Sequence, residues 1–127
     1  MSAINYPVGD FLIRLKNASI AKHKEVNVAN TNLIRMVATL LVKEGYLDEM
    51  KEEGKILHVR LSYRRKSPVL SDVVLISKPG LRVYKTADEL SQRKGPFLGI
   101  VSTSKGVISL REAIKKRLGG ELIADIL

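Results

Sequence analysis

With 127 residues, 45% of them apolar and 28% charged, the chain has the make-up of a globular protein that buries a core as one domain or two very small ones, and its composition argues against disorder. Its 22 Lys and Arg outnumber 13 Asp and Glu, and the net charge of +9 points to a polyanionic partner, either nucleic acid or an acidic membrane surface. The lack of cysteine excludes disulfides and thiolate metal sites; with no apolar run near the ~20 residues of a bilayer span and no signal-peptide pattern at the start, a soluble intracellular protein is expected.

Tyr6 to Ala21 is expected as a first helix, with Asn5 as its cap, Pro7 in the first turn, and Val8, Phe11, Leu12 and Leu15 at core spacing. Asp10, Arg14 and Asn17 then share the opposite face, where a solvated surface is the ordinary outcome. A basic loop, Ala21-Lys22-His23-Lys24, leads to a short strand at Glu25 to Val28. His23 has no second histidine or acidic cluster at ligand spacing and reads as a charged loop residue. Asn30-Thr31-Asn32 caps a second helix, with Leu33, Ile34, Val37, Leu40 and Leu41 on one face and Gly45 as its stop. Tyr46 to Lys55 then turns through Lys51 to Lys55 into Ile56 to Tyr63, a hairpin whose Leu57, Val59, Leu61 and Tyr63 alternate with His58, Arg60 and Ser62.

Arg64-Arg65-Lys66-Ser67-Pro68 has the composition of a linker and sets a domain boundary there: an N-terminal α+β domain over 1–65 and a C-terminal α+β domain over 66–127. The charge excess is shared, with 12 basic and 7 acidic groups in residues 1–66 and 10 and 6 in residues 67–127. Val69 to Ser77, with the run Val73-Val74-Leu75-Ile76, is expected as a strand buried on both faces. Lys78-Pro79-Gly80 suits a type II turn, after which Leu81 to Lys85 returns as a strand with Arg82 and Tyr84 on one face. A tyrosine beside an arginine either stacks on a base or packs against the next strand. Thr86-Ala87-Asp88-Glu89 is a capping box for a short helix ending near Arg93, and Gly95-Pro96 breaks the chain.

From Phe97 to Val101 the chain is apolar or glycine, a buried strand, and it delivers a polar tip of Ser102, Thr103, Ser104, Lys105 and Gly106. Three hydroxyls that donate and accept suit a base, a ribose or a phosphate; Lys105 adds a point charge, and Gly106 permits close approach or positive φ. The same residues equally suit an ST-turn closing a hairpin between Phe97 to Ser102 and Val107 to Ile108. Ser109-Leu110-Arg111-Glu112 is a second capping box, opening a helix whose Lys115, Lys116 and Arg117 suit the helix dipole and would also face phosphates. Gly119-Gly120 is expected to end that helix, and Glu121 to Leu127 forms a final strand.

The segments Ile76-Ser77-Lys78-Pro79-Gly80-Leu81-Arg82-Val83-Tyr84, Ile100-Val101-Ser102-Thr103-Ser104-Lys105-Gly106-Val107, Glu112-Ala113 and Gly119-Gly120-Glu121, preceded by Asp10 to Ala18, resemble in order and spacing the bacterial-type small-subunit ribosomal protein eight family over nearly the whole chain. The resemblance implies two small α+β domains packed in a helix/sheet/sheet/helix arrangement. It implies residence in the small subunit of a cytoplasmic or organellar ribosome, beside neighbouring small-subunit proteins, and primary binding of the central domain of small-subunit ribosomal RNA during assembly. It further implies repression of translation through the messenger of its own operon, and no enzymatic activity, cofactor, metal, membrane or small-molecule substrate. Carried over by residue, the RNA-reading loop falls on Ser102, Thr103 and Ser104, with Tyr84 and Glu121 nearby and Arg14 and Asn17 facing RNA from the first helix. Lys105, Gly106, Arg82, Lys78 and Lys116 complete the candidate RNA-binding set, and Tyr6 stands where the family more often has an aspartate.

Hydroxyls on a short turn cannot reach base edges down the deep major groove of regular A-form RNA, and six aromatic residues are too few for a single-strand stacking platform, so an irregular helix is the expected target. The alternative is a winged-helix DNA-binding regulator, built from Asn32 to Glu44 and the basic strand Ile56 to Arg65. That helix offers only Arg35 and Lys43 as cations and leaves residues 69–127 unexplained. Ser-Thr-Ser-Lys-Gly lacks the glycine spacing of a phosphate loop, and neither histidine sits in a local Ser/His/Asp signature, which argues against an enzyme.

Overall fold

In the computed structural model, which describes residues 6–127, the helical spacing of Val8, Phe11, Leu12 and Leu15 becomes α1 (Pro7–Ile20), with all four side chains buried and Asp10, Arg14 and Asn17 exposed. Asn5, expected as its cap, lies outside the described residues. Helix α2 (Asn32–Lys43) starts at Thr31, whose Oγ1 accepts from Ile34 N at 3.2 Å, and buries Ile34, Val37, Ala38, Leu40 and Leu41. The strands β1 (Glu25–Ala29), β2 (Leu47–Glu53) and β3 (Ile56–Leu61) form an antiparallel sheet in the order β1-β3-β2. The β2–β3 turn is tighter than expected: the ladder runs on to Glu53 opposite Ile56, because Gly54, at φ +60, supplies the backbone a two-residue hairpin needs. Period-two alternation then buries Leu57, Val59 and Leu61 and turns Arg60 outward.

The stretch expected as a linker is instead a small hairpin, β4 (Tyr63–Arg64) and β5 (Ser67–Pro68). Two compact units part between Val73 and Val74 rather than at 65/66: Pro7–Val73 is one, and Tyr6 with Val74–Leu127 is the other. Packing explains the difference. Leu70 is fully buried, its carbonyl accepts from the buried Ser19 hydroxyl, and Lys16 pairs with Asp72 at 3.0 Å, so the chain after the hairpin is fastened to α1. The basic run that looks like a hinge in composition is a turn tip on the first unit.

In the second unit β6 (Val73–Leu75), β10 (Gly120–Ile126), β8 (Leu98–Thr103) and β9 (Gly106–Ser109) lie in that order, and β7 (Tyr84–Lys85) pairs with the start of β10. Leu90, Val101, Ile108, Leu110, Ala113 and Leu122 form its core, covered by α3 (Ala87–Leu90) and α4 (Leu110–Lys116). The class is α+β, as expected. The strand expected to be buried on both faces is a three-residue edge instead, with Val74 exposed and Leu75 half-buried, because among the described strands β6 has only β10 as a neighbour. The return strand shrinks to two residues because fully buried Ser77 takes over the pairing: its Oγ accepts from Val83 N at 2.9 Å and donates to Leu122 O at 2.8 Å.

Thr86 and Glu89 close their capping box reciprocally, but α3 stops at Leu90, and Arg93 instead grips Asp125 with two bonds of 2.9 Å. Gly119-Gly120 does not cap α4, which ends at Lys116 with Arg117 in the left-handed region at φ +56. The two glycines serve close approach: a Cβ on Gly119 would lie 2.6 Å from Lys85 O, and one on Gly120 would overlap Ser102 O.

Candidate nucleic-acid interface

The β8–β9 hairpin pairs Ile100 with Ser109, Val101 with Ile108, Ser102 with Val107 and Thr103 with Gly106, which leaves Ser104-Lys105 as its tip. Gly106 takes φ +109 there. The two readings of the triple hydroxyl divide between residues. Thr103 Oγ1 accepts from Lys105 N at 3.0 Å and donates to Gly106 O at 2.9 Å, so this hydroxyl closes the expected ST-turn. Ser102 is half-buried and Ser104 exposed, and neither side chain has a hydrogen-bond partner among the described residues.

Strand order brings the rest of the cluster alongside. Glu121 on β10 faces Ser102 on one side and Tyr84 on the other. Its carboxylate accepts from Arg82 Nη1 at 3.1 Å, and the Arg82 guanidinium lies over the Tyr6 ring, 4.4 Å from its centroid. The hydrogen bond to Glu121 holds Arg82 above its ordinary range, so it stays charged. Burial pushes the Tyr6 phenol up, with the carboxylate of Glu121 adding to the shift and Arg82 opposing it. Tyr6 is 7% exposed and its hydroxyl has no hydrogen-bond partner among the described residues. Tyr84, by contrast, is 69% exposed, so its ring is presented to solvent instead of packed. Lys78 and Leu81 close the expected turn with reciprocal backbone bonds of 2.9 Å, and Gly80 has φ +80. Lys78 and Lys105 are exposed and form no ion pair among the described residues.

The remaining candidates stand apart from this cluster in the chain's elements. Lys116, on α4, pairs with Glu112 one turn back at 3.8 Å. Arg14 and Asn17 belong to the other unit, where Arg14 Nη1 donates to Asn27 O at 3.1 Å. Sequence inspection missed Tyr6 and Ser77, since neither carries a local signal of a partner so far along the chain. The recognition-helix alternative fails on Arg35, whose guanidinium is held by Asn30 at 2.8 Å, Asn32 at 3.2 Å and Glu52 at 3.7 Å.

The second sheet of this basic α+β chain thus ends in a cluster of two hydroxyls and two lysines without side-chain partners among the described residues, an exposed ring and a carboxylate paired with Arg82. Among the described residues no group of three or more His, Cys, Asp or Glu could hold a metal, and no helix is long and apolar enough to cross a membrane. The family model for ribosomal protein S8 matches residues 6–127. The chain is 41% identical over 131 residues to the small ribosomal subunit protein uS8 of Mycoplasmopsis pulmonis, covering 99% of each. It is 42% identical over 129 residues to the uS8 of Kosmotoga olearia, covering 94% of this chain and 96% of the relative, and 41% identical over 125 residues to that of Clostridium novyi, covering 94% and 95%. The chain belongs to the ribosomal protein S8 family, a structural and non-enzymatic one.

Proposed function

We propose that the chain is a structural constituent of the small ribosomal subunit that binds the central domain of its RNA, and that the β8–β9 tip reads an irregular helix there. The observation that carries this reading is the placement of Ser102 and Ser104, hydroxyls without partners among the described residues, beside exposed Tyr84 and the Arg82–Glu121 pair on a chain of charge +9. A hydroxyl donates and accepts, a carboxylate only accepts, and together they fit the shallow groove, where 2′-hydroxyls donate and accept beside the base edges. Tyr84 packs on a neighbouring sugar or base, while Lys78, Lys105, Gly106, Lys116, Arg14 and Asn17 meet backbone. Binding this RNA early makes the protein an assembly factor beside its small-subunit neighbours in cytoplasmic ribosomes, and a similar fold in its own operon messenger makes it a translational repressor.

Competition binding tests the reading. Ser104→Ala should weaken binding to an irregular central-domain helix while leaving random RNA nearly unaffected, and the wild-type complex should resist both a perfectly paired duplex and the same nucleotides as single strand. Equal losses on cognate and random RNA, or equal competition by the regular duplex, would sink it.

A further inference from the structure

The first unit carries a concentration of positive charge that the β8–β9 tip does not use. The loop from α1 to β1 brings Lys22, His23 and Lys24, and the β4–β5 hairpin brings Arg64 and, as its two turn residues, Arg65 and Lys66; all six are exposed. The loops are fastened side by side, because Leu61 N donates to Lys24 O at 2.8 Å and Tyr63 Oη donates to His23 O at 2.8 Å. Glu25, next to Lys24, is paired with Arg60 at 2.9 Å, and the Asp48 carboxylate accepts from the Ser62 hydroxyl at 2.6 Å. None of the five Lys and Arg side chains has an ion pair among the described residues.

The backbone beneath them is a second, independent observation. Arg65 and Lys66 both sit at positive φ, +52 and +67, and Lys22 at +59; among the described non-glycine residues only Arg117 joins them. A two-residue hairpin turn with both central residues at positive φ selects Asn-Gly, since a Cβ is crowded there. Here that place holds adjacent like charges with long side chains, so neither local conformation nor electrostatics within the fold accounts for the choice. Strain retained at an exposed tip points to use by a ligand.

We propose that Lys22, Lys24, Arg64, Arg65 and Lys66 form a phosphate-binding patch on the first unit that grips the backbone of ribosomal RNA. The guanidinium forks of Arg64 and Arg65 suit bidentate phosphate contact, and the lysines add point charges. The patch reads no bases. It rests on the proposed RNA-binding role, to which it adds affinity and orientation from a part of the chain that the hydroxyl tip does not include.

The test replaces the turn with the sequence its backbone prefers. In the full chain, the double substitution Arg65→Asn and Lys66→Gly keeps the hairpin and removes the charge, and Lys22→Asn does the same at the other loop. Binding is measured from about 0.05 to 0.5 M salt against a transcript of the small-subunit central domain, with Ser104→Ala in parallel. If each lost charge met one phosphate, the double substitution should make the slope of log affinity against log salt shallower by about 1.4 to 1.8, a loss of about 25- to 60-fold at 0.1 M salt. The preference for cognate over random RNA should persist, and the melting temperature should stay or rise. An unchanged slope in a stable double variant overturns the patch, whatever the affinity. If at the same time Ser104→Ala loses cognate preference, only this inference falls; if Ser104→Ala keeps that preference, the reading of the tip falls by itself.

Discussion

Gly120→Ala gives the sharpest test of how the sheet positions the β8–β9 tip. Gly120 pairs with Lys85 at the start of β10, and a Cβ there would overlap Ser102 O, with Ser102 C at 2.9 Å and Thr103 Cα at 3.2 Å. All three neighbours are backbone, so no side chain can rotate aside. Either β8 moves or the β10 pairing opens. Overpacking of this kind costs about 1–3 kcal/mol, and the alanine recovers about 0.5–1 kcal/mol at most by restricting the unfolded chain. A net loss of about 1–2 kcal/mol, with an unfolding entropy of about 0.27 kcal/mol/K for a chain of this length, lowers the thermal midpoint by about 4–7 °C. Because the displaced group is Ser102, affinity for cognate RNA should fall more than affinity for random RNA. Circular dichroism melting and the salt-controlled binding assay read the two effects. Gly45→Ala is the control: it faces open space at φ +88, so it should lose stability through strain alone and leave RNA discrimination intact. A Gly120→Ala protein that melts within about 1 °C of the parent would refute the close-approach argument.

Three further outcomes are expected. Thr103→Ala removes both turn bonds and should cost about 1–2 kcal/mol while speeding amide exchange at Lys105; retention of slow exchange would show that the ST-turn does not hold the tip. Tyr6→Phe deletes a buried hydroxyl with no partner among the described residues and should leave stability unchanged or higher, whereas Tyr6→Ala removes the ring under Arg82 and should cost about 3 kcal/mol; equal melting of the two variants would refute the packing role. The hydrogen bonds from Thr86 hold the Glu89 carboxyl below its ordinary 4.5, so its stabilisation is complete above about pH 4.5 and is lost as pH falls through the lower folded value. Glu89→Gln should therefore flatten the stability difference between pH 7 and pH 3, and equal acid sensitivity of the two proteins would count against this.

The legible parts of the chain were those whose cause is local. Helical spacing in α1 and α2, alternation in β3, the proline and glycine of the turn after Lys78, and the Thr86 box each depend on residues within a few positions, and the structure places them as expected. Where partners are distant, the sequence misled. Arg64 to Pro68 has a linker's composition, yet the segment after it is committed to α1 through Leu70 and Asp72. Gly119-Gly120 sits where a helix cap belongs, but its reason is the approach of Lys85 and Ser102. In the candidate cluster the residues at the tip were visible as a run of polar types, while the turn bonds, which Thr103 makes and its serine neighbours do not, depend on rotamers that no periodicity encodes. Tyr6 was the least legible of all, because its partners Arg82 and Glu121 meet it only through tertiary packing.

A carboxylate beside the tip proposed to read RNA is unexpected on electrostatic grounds, since Glu121 alone would repel a phosphate backbone. The pairing with Arg82 cancels that charge locally, and the Tyr6 ring beneath the guanidinium fixes where the cation sits, which in turn holds the carboxylate in one orientation. The Glu121 side chain is only 16% exposed, so little water competes for its oxygens. Beside Lys105, then, the cluster offers a preorganised set of acceptors and hydroxyls whose one carboxylate is balanced by Arg82. On the proposed reading the attraction is spread over both units, as Pro7–Val73 carries 12 basic and 8 acidic residues and Val74–Leu127 carries 10 and 5. Charge of that kind binds any polyanion and falls steeply with salt, whereas hydrogen bonds from a neutral surface reward one arrangement of donors and are nearly indifferent to salt. On the proposed reading, affinity and discrimination fall on different residues of this chain, and a substitution should remove one while sparing the other.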